Sequence, residues 1–189
     1  MDFNKVIEER SSIKKYSSKK PKIESIIEAI ETSNKAPAAG NLQPTSFIIV
    51  ENQETINKVA DACQQDFISN APYVIIVCSN INQLKKMYDK RSEKYIKHYV
   101  GAAVENFLLK ITDMGLASCW VGPFSEETLR NHFSIPENNE IELIITVGYE
   151  FIKGKSKPKR KHSLVNRVFF EDWGNKFHKP LEKVRRKDI

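Results

Sequence analysis

The chain has 189 residues, 40% of them hydrophobic and 29% charged, which suits one domain able to bury a core without disulfide or metal staples. Its longest apolar runs, Val74 to Cys78 and Phe47 to Val50, fall far short of the ~18 residues that a membrane-spanning helix requires, so a transmembrane reading is excluded. The net charge of +6 is unevenly placed: residues 1 to 152 hold 17 Lys+Arg against 20 Asp+Glu, whereas residues 153 to 189 hold 13 against 4. The expected organisation is therefore a single domain over 1–189, a mildly acidic core (1–152) carrying a basic C-terminal extension (153–189). Such an extension suits nucleic acid, an anionic membrane surface or a phosphate, or is simply solvated.

The first residues, Met1-Asp2-Phe3-Asn4, carry no basic segment followed by an apolar stretch, so no export signal is read there and a cytoplasmic protein is expected. Arg10 to Lys14 stand at the end of a first helix. Ile23, Ile26, Ile27 and Ile30 then recur at helical spacing, with Pro37 beyond them as a stop. Phe47 to Val50 reads as a strand. Asn52 is a plausible N-cap for a helix carrying Ile56, Val59, Ala60 and Cys63. Tyr73 to Cys78 is a second strand. Val100, Ala103, Val104, Phe107, Leu108 and Ile111 form the longest helical stripe, which places that helix at the centre of the core.

Ser118 to Val121 reads as a strand, and Ser125, followed by two glutamates, as another helix start. Ile141 to Val147 is a further strand, and Leu164 to Phe170 a last, edge strand. Near-continuous apolarity in the strands means that both faces of one sheet are covered by helices. Cys63, Cys78 and Cys119 are odd in number and widely spaced; they read as free, buried thiols of a reducing compartment and match no zinc pattern, so no metal is expected.

The familiar cradles are missing. There is no Gly-x-Gly-x-x-Gly, no Gly-x-x-x-x-Gly-Lys-Ser/Thr, no Gly-x-Ser-x-Gly, and the four histidines are scattered. An enzyme built this way needs a cofactor that carries the reaction itself, with no side-chain acid or base assigned.

Four segments remain. Arg10-Ser11-Ser12-Ile13-Lys14 gathers two cations and two hydroxyls, the donors that a phosphate monoester favours. Ala36 to Pro44 is a Pro- and Gly-containing loop offering the amides of Asn41 and Gln43, suited to a flat heterocycle with alternating acceptor and donor edges. Gly115 to Phe124 is a strand ending in Gly122-Pro123. Gly148-Tyr149 precedes the basic cluster Lys159-Arg160-Lys161.

In this order the segments resemble the flavin-dependent nitroreductase family over about Val6 to Trp173. Arg10, Ser12 and Lys14 match an Arg-Arg-Ser-Ile-Arg-like element, with Ser11 replacing its second arginine. Ala36 to Pro44 matches Ala-Pro-Ser-Ala-x-Asn-x-Gln-Pro, with Ala38 for Ser and Thr45 for the following Trp. Gly101 to Asn106 resembles Gly-x-Ala-x-Gln-Asn and carries Glu105 at the Gln position. Gly115 to Gly122 resembles Gly-Leu-Gly-Ser-x-Trp-Ile-Gly, and Glu150 replaces the Pro of Gly-Tyr-Pro. Tyr99 stands where many relatives carry an acidic residue.

The resemblance implies an α+β, three-layer nitroreductase-like fold, its central and mostly antiparallel sheet flanked by helices, with the C-terminal extension added. It implies a homodimer with flavin mononucleotide (FMN) in clefts at the subunit interface. Arg10, Ser11, Ser12 and Lys14, joined by Lys159, Arg160 and Lys161, would hold the phosphate. Pro37, Ala38, Ala39, Asn41 and Gln43 would approach the ring from the partner subunit. The backbone of Val121 and Gly122 would face its reactive edge, Gly122 being the better donor because Pro123 has no N–H. Phe124 would line the substrate pocket, as would Trp120, although aromatics at a strand end are more often core. The implied reaction is ping-pong: NAD(P)H delivers a hydride, and a nitroaromatic or quinone takes it up. A fold relative working by reductive dehalogenation or flavin breakdown is one alternative; a basic nucleic-acid or anion-binding module is another.

Overall fold

The computed structural model describes residues 2–152 and 167–176, and the chain divides into two units, Met1–Ser156 and Lys157–Ile189. In the first unit the elements run α1 (Phe3–Glu9), α2 (Ile23–Ser33), β1 (Thr45–Val50), α3 (Gln53–Cys63), β2 (Tyr73–Ser79), α4 (Asn82–Tyr88), α5 (Ser92–Asp113), β3 (Ala117–Val121), α6 (Glu126–Phe133) and β4 (Glu140–Gly148). The four strands form one antiparallel sheet in the order β1-β2-β4-β3, so β1 and β3 are its two edges.

The strand sequences explain the layers. Every residue of β2 is buried, and its side chains alternate between two cores. Val74, Ile76 and Cys78 meet Ile56, Val59, Ala60 and Leu129 from α3 and α6 on one face. Ile75 and Val77 meet Ile26 and Ala29 of α2, and Val100, Phe107 and Ile111 of α5, on the other. Continuous apolarity therefore did mean a sheet covered on both sides. Helix α5 is the central element foreseen from its stripe, but it starts at Ser92, well before Val100: its first two turns are mostly polar, and of them Ser92, Ile96 and Tyr99 are buried. Helix α2 departs differently: it ends at Ser33, ahead of Pro37, and Ile23 and Ile27 face outward at 36% and 44% exposure.

Helix α3 begins as its sequence predicts. The Asn52 side chain accepts a hydrogen bond from the Thr55 backbone N–H at 3.2 Å, satisfying one of the first-turn donors. Asn52→Ala is expected to cost about 1 kcal/mol. A melting temperature equal to that of the parent would show that the cap carries nothing.

In the second unit, Phe169 bridges Lys176 in an antiparallel contact, and the rings of Phe169 and Trp173 lie 4.7 Å apart. Of the strand predicted over Leu164 to Phe170, residues 164–166 lie outside the described residues, and Phe169 makes an isolated bridge.

Candidate active site

Beyond α1 the chain runs as a strap beside the β3 edge of the sheet. The Ile13 N–H donates to the Ser118 carbonyl at 2.9 Å, the Ser17 N–H to the Tyr149 carbonyl at 2.9 Å, and the Phe151 N–H to the Lys15 carbonyl at 3.0 Å. Tyr16 nails the strap down. Its ring is buried, its hydroxyl donates to the Ile13 carbonyl at 2.7 Å, and it lies 2.6 Å from the hydroxyl of Thr146, which is fully buried in β4. Burial raises the Tyr16 hydroxyl well above the ordinary phenol range, with the Thr146 hydrogen bond opposing, so the group stays neutral and structural. Gly148 makes room for this packing: a Cβ there would stand 2.8 Å from the Tyr16 ring and 2.7 Å from Pro72.

The strap distributes its cations. Arg10 turns to α5, its Nε 3.6 Å from Glu105 Oε1. Lys14 goes to the other side of the sheet, its Nζ 3.5 Å from Gln65 Oε1 and 4.8 Å from the centre of the Phe67 ring. Ser12 is exposed beside β3, bridging Ser118, while the Ser11 hydroxyl donates to the Glu9 carbonyl at 3.2 Å. Arg10 and Lys14 thus flank Ser12 from different layers. Lys159, Arg160 and Lys161 lie outside the described residues.

At the end of β3 the main chain is open. Gly122 and Pro123 are exposed, nothing lies within 4 Å of where a Gly122 Cβ would stand, and the preceding Val121 is buried. Trp120 is 41% exposed, whereas Phe124 is half-buried and packs on the core between the sheet and α3. A cleft of about 360 Å³ opens beside the strap between Ser11, Ile13, Leu116 and Tyr149. Glu9 and Glu150 are also among its lining residues, acidic neighbours that do not favour a phosphate there.

The loop from Ala36 to Pro44 lies elsewhere. Ala36 and Ala38 pack against Tyr99, Ala102 and Ala103 of α5, which accounts for the aromatic residue at position 99. Pro37 is exposed, and Ala39 opens a tight turn in which Gly40 and Asn41 both take positive φ, 60° and 56°. The Cβ that Gly40 lacks would lie 3.1 Å from the Met87 and Tyr88 side chains, so α4 presses directly on the turn. The Gln43 amide donates to the Asn34 carbonyl at 2.9 Å, while the Asn41 side chain is exposed. The Tyr99 and Thr45 hydroxyls beneath the loop are both enclosed and lie beside one another.

Because this loop leads into β1, it stands at the sheet edge opposite the strap. Three inter-strand steps, roughly 14 Å, separate the two edges before any distance along the strands is counted. One copy of the chain therefore does not bring Asn41 and Gln43 to Ser12.

The three thiols are free and buried. Burial pushes Cys63 and Cys78 up to about 11, and raises Cys119 against the opposing influence of Lys14 and Ser12. All three are thus thiols near neutral pH. Alkylation by a maleimide at pH 8 is expected to be negligible in the native protein and complete after unfolding; rapid labelling of the native protein would contradict this burial.

Sequence reasoning passed over Tyr16, Thr146, Met87 and Tyr88. One signal was present: a lone threonine inside the apolar run Ile141 to Val147 needs a partner once buried. Among the described residues no group of three or more His, Cys, Asp or Glu is placed to hold a metal, and no helix is long and apolar enough to cross a membrane.

The chain as a whole is similar to known proteins. The model of the nitroreductase family matches residues 7–70 and 60–149. A protein of Archaeoglobus fulgidus, to which an NADH dehydrogenase/NAD(P)H nitroreductase activity is attributed, is 33% identical over 150 residues, covering 77% of this chain and 83% of the relative. The iodotyrosine deiodinase of Thermotoga neapolitana is 23% identical over 166 residues, covering 74% of this chain and 84% of that protein. The structure of an FMN-dependent nitroreductase from Clostridium difficile R20291 superposes with a TM-score of 0.74 at 21% identity, covering 89% of this chain and 98% of the other.

Proposed function

The chain belongs to the nitroreductase family, and from that membership we propose that it binds FMN and transfers a hydride from NAD(P)H to an electron-poor acceptor such as a nitroaromatic or a quinone. The residues present fit that cofactor. Arg10, Ser12 and Lys14 offer charged and hydroxyl donors at the strap, and the exposed main chain at Gly122 leaves open space for a planar group. The observation that carries the reading is the separation of the two motifs on opposite sheet edges, since it makes sense of a site completed by a second copy.

In this reading Arg10 and Ser12 bind the phosphate through charge-assisted and neutral hydrogen bonds, with Lys14 adding charge from the other side. Ser11, whose hydroxyl is engaged by Glu9, contributes backbone. Lys159, Arg160 and Lys161 are proposed as further phosphate partners. When bound, FMN supplies a ring that accepts a hydride from the nicotinamide and returns it to the acceptor. Val121 and Gly122 set the main chain against the ring's edge, where Gly122 donates and Pro123 cannot. Phe124 gives the pocket an apolar wall. From the second copy, Pro37, Ala38 and Ala39 shape the opposite wall, and Asn41 and Gln43 present amides. For Gln43 this requires exchanging its bond to Asn34.

The homodimer is part of the proposal. Phe3 and Ile7 on α1 and Ile23 and Ile27 on α2 are exposed apolar residues that a second copy would cover. Three free thiols fit a reducing compartment such as the cytoplasm.

The test is anaerobic. Purified protein loaded with FMN is expected to lose its visible flavin absorption on addition of NADH or NADPH and to recover it on addition of a nitroaromatic or quinone. Loaded protein whose spectrum neither nicotinamide changes would overturn the reading. The resemblance to an iodotyrosine deiodinase makes a halogenated tyrosine the second acceptor to assay, with halide release as its signature.

A further inference from the structure

We propose that Glu105 competes with the cofactor phosphate for Arg10, so that this chain grips FMN less tightly than the same site would with a neutral residue at position 105. The inference rests on the flavin reading above. Arg10 closes α1 and its side chain is 22% exposed; Glu105 on α5 is 50% exposed and holds the guanidinium through Nε, Oε1 lying 3.6 Å away. A phosphate dianion approaching Arg10 meets a charge already partly neutralised and a carboxylate of its own sign beside it. Among the described residues of the strap no second arginine relieves this: Ser11 stands at the adjoining position, and Lys14 is drawn to Gln65 and Phe67 across the sheet.

Glutamine has nearly the shape of glutamate, so Glu105→Gln removes the charge and keeps a side chain of the same size beside Nε. If the pair served only to fasten α1 to α5, the substitution would leave the phosphate contact unchanged. Glu105 is a positioning residue here: it touches Arg10, not the reacting ring.

The experiment titrates the full-length protein, freed of flavin by exhaustive dialysis, with FMN and separately with riboflavin, following the quenching of flavin fluorescence. Riboflavin has the ring but no phosphate, so it reports the rest of the site. Glu105→Gln is expected to lower the Kd for FMN about fivefold, or about 1 kcal/mol, and to leave the Kd for riboflavin unchanged. Glu105→Ala is expected to move in the same direction, and added salt to shrink the difference. Equal FMN affinities, weaker FMN binding by Glu105→Gln, or a parallel change for both flavins would overturn the proposal while leaving the flavin reading intact. Failure of parent and variants alike to bind either flavin would overturn both.

Discussion

Gly148→Ala is expected to lower the melting temperature by several degrees, the equivalent of about 1–3 kcal/mol for overpacking a filled core. The added methyl would stand 2.7 Å from Pro72 Cδ and 2.8 Å from Tyr16 Cδ1, closer than carbon atoms pack. Neither neighbour is a flexible chain end. Pro72 is a ring fixed to the backbone just ahead of β2, and Tyr16 is held by its hydroxyl at both Thr146 and the Ile13 carbonyl. Relief therefore has to come from the strap, which carries Ser12 and Lys14. The same substitution is expected to weaken flavin binding along with stability. Tyr16→Phe separates the two effects: it leaves the ring in place and strips the Thr146 hydroxyl of a partner, costing about 1–3 kcal/mol. A Gly148→Ala protein that melts with the parent would show that the strap yields freely and does not fix the site.

Arg10→Ala is expected to raise the Kd for FMN about 10- to 150-fold, the loss of one charge-assisted phosphate contact worth about 1.5–3 kcal/mol. Two terms add here. The guanidinium goes, and the Glu105 carboxylate loses its partner and is left beside the phosphate as an uncompensated like charge. Riboflavin affinity is expected to hold, because no contact to the ring is altered. An unchanged Kd for FMN would move the phosphate away from Arg10 and take the assignment of Ser12 with it.

The elements with strong local periodicity were readable from their residues. The α5 stripe, the all-apolar β2 and the caps at Asn52 and Ser125 appear where their patterns put them, because each depends on neighbours within a turn or a strand. What escaped were features decided by distant residues. The polar opening of α5 is helical because Ile96 and Tyr99 find partners across the fold. The strand order β1-β2-β4-β3 follows from pairings between segments some seventy residues apart in β2 and β4, which no local pattern encodes. Helix α4 is a short segment whose Leu84 alone is buried, too little periodicity to announce itself.

The candidate site divides the same way. Its polar residues stood out by motif, but their directions did not. Arg10 and Lys14 look equivalent in an extended segment, yet one goes to Glu105 and the other to Phe67 on the far side of the sheet. Glu105 stands out in the sequence only as the residue at the Gln position of the Gly101 to Asn106 motif; its pairing with Arg10 depends on the fold bringing α1 beside α5.

The central claim is that two copies of this chain build each flavin site together. A crystal structure of the FMN-loaded protein tests it directly. It is expected to have the phosphate at Arg10 and Ser12 and the ring along Val121 and Gly122 of one copy, with Asn41 and Gln43 supplied by the second. A flavin enclosed by a single chain, or bound away from the strap altogether, would contradict the account.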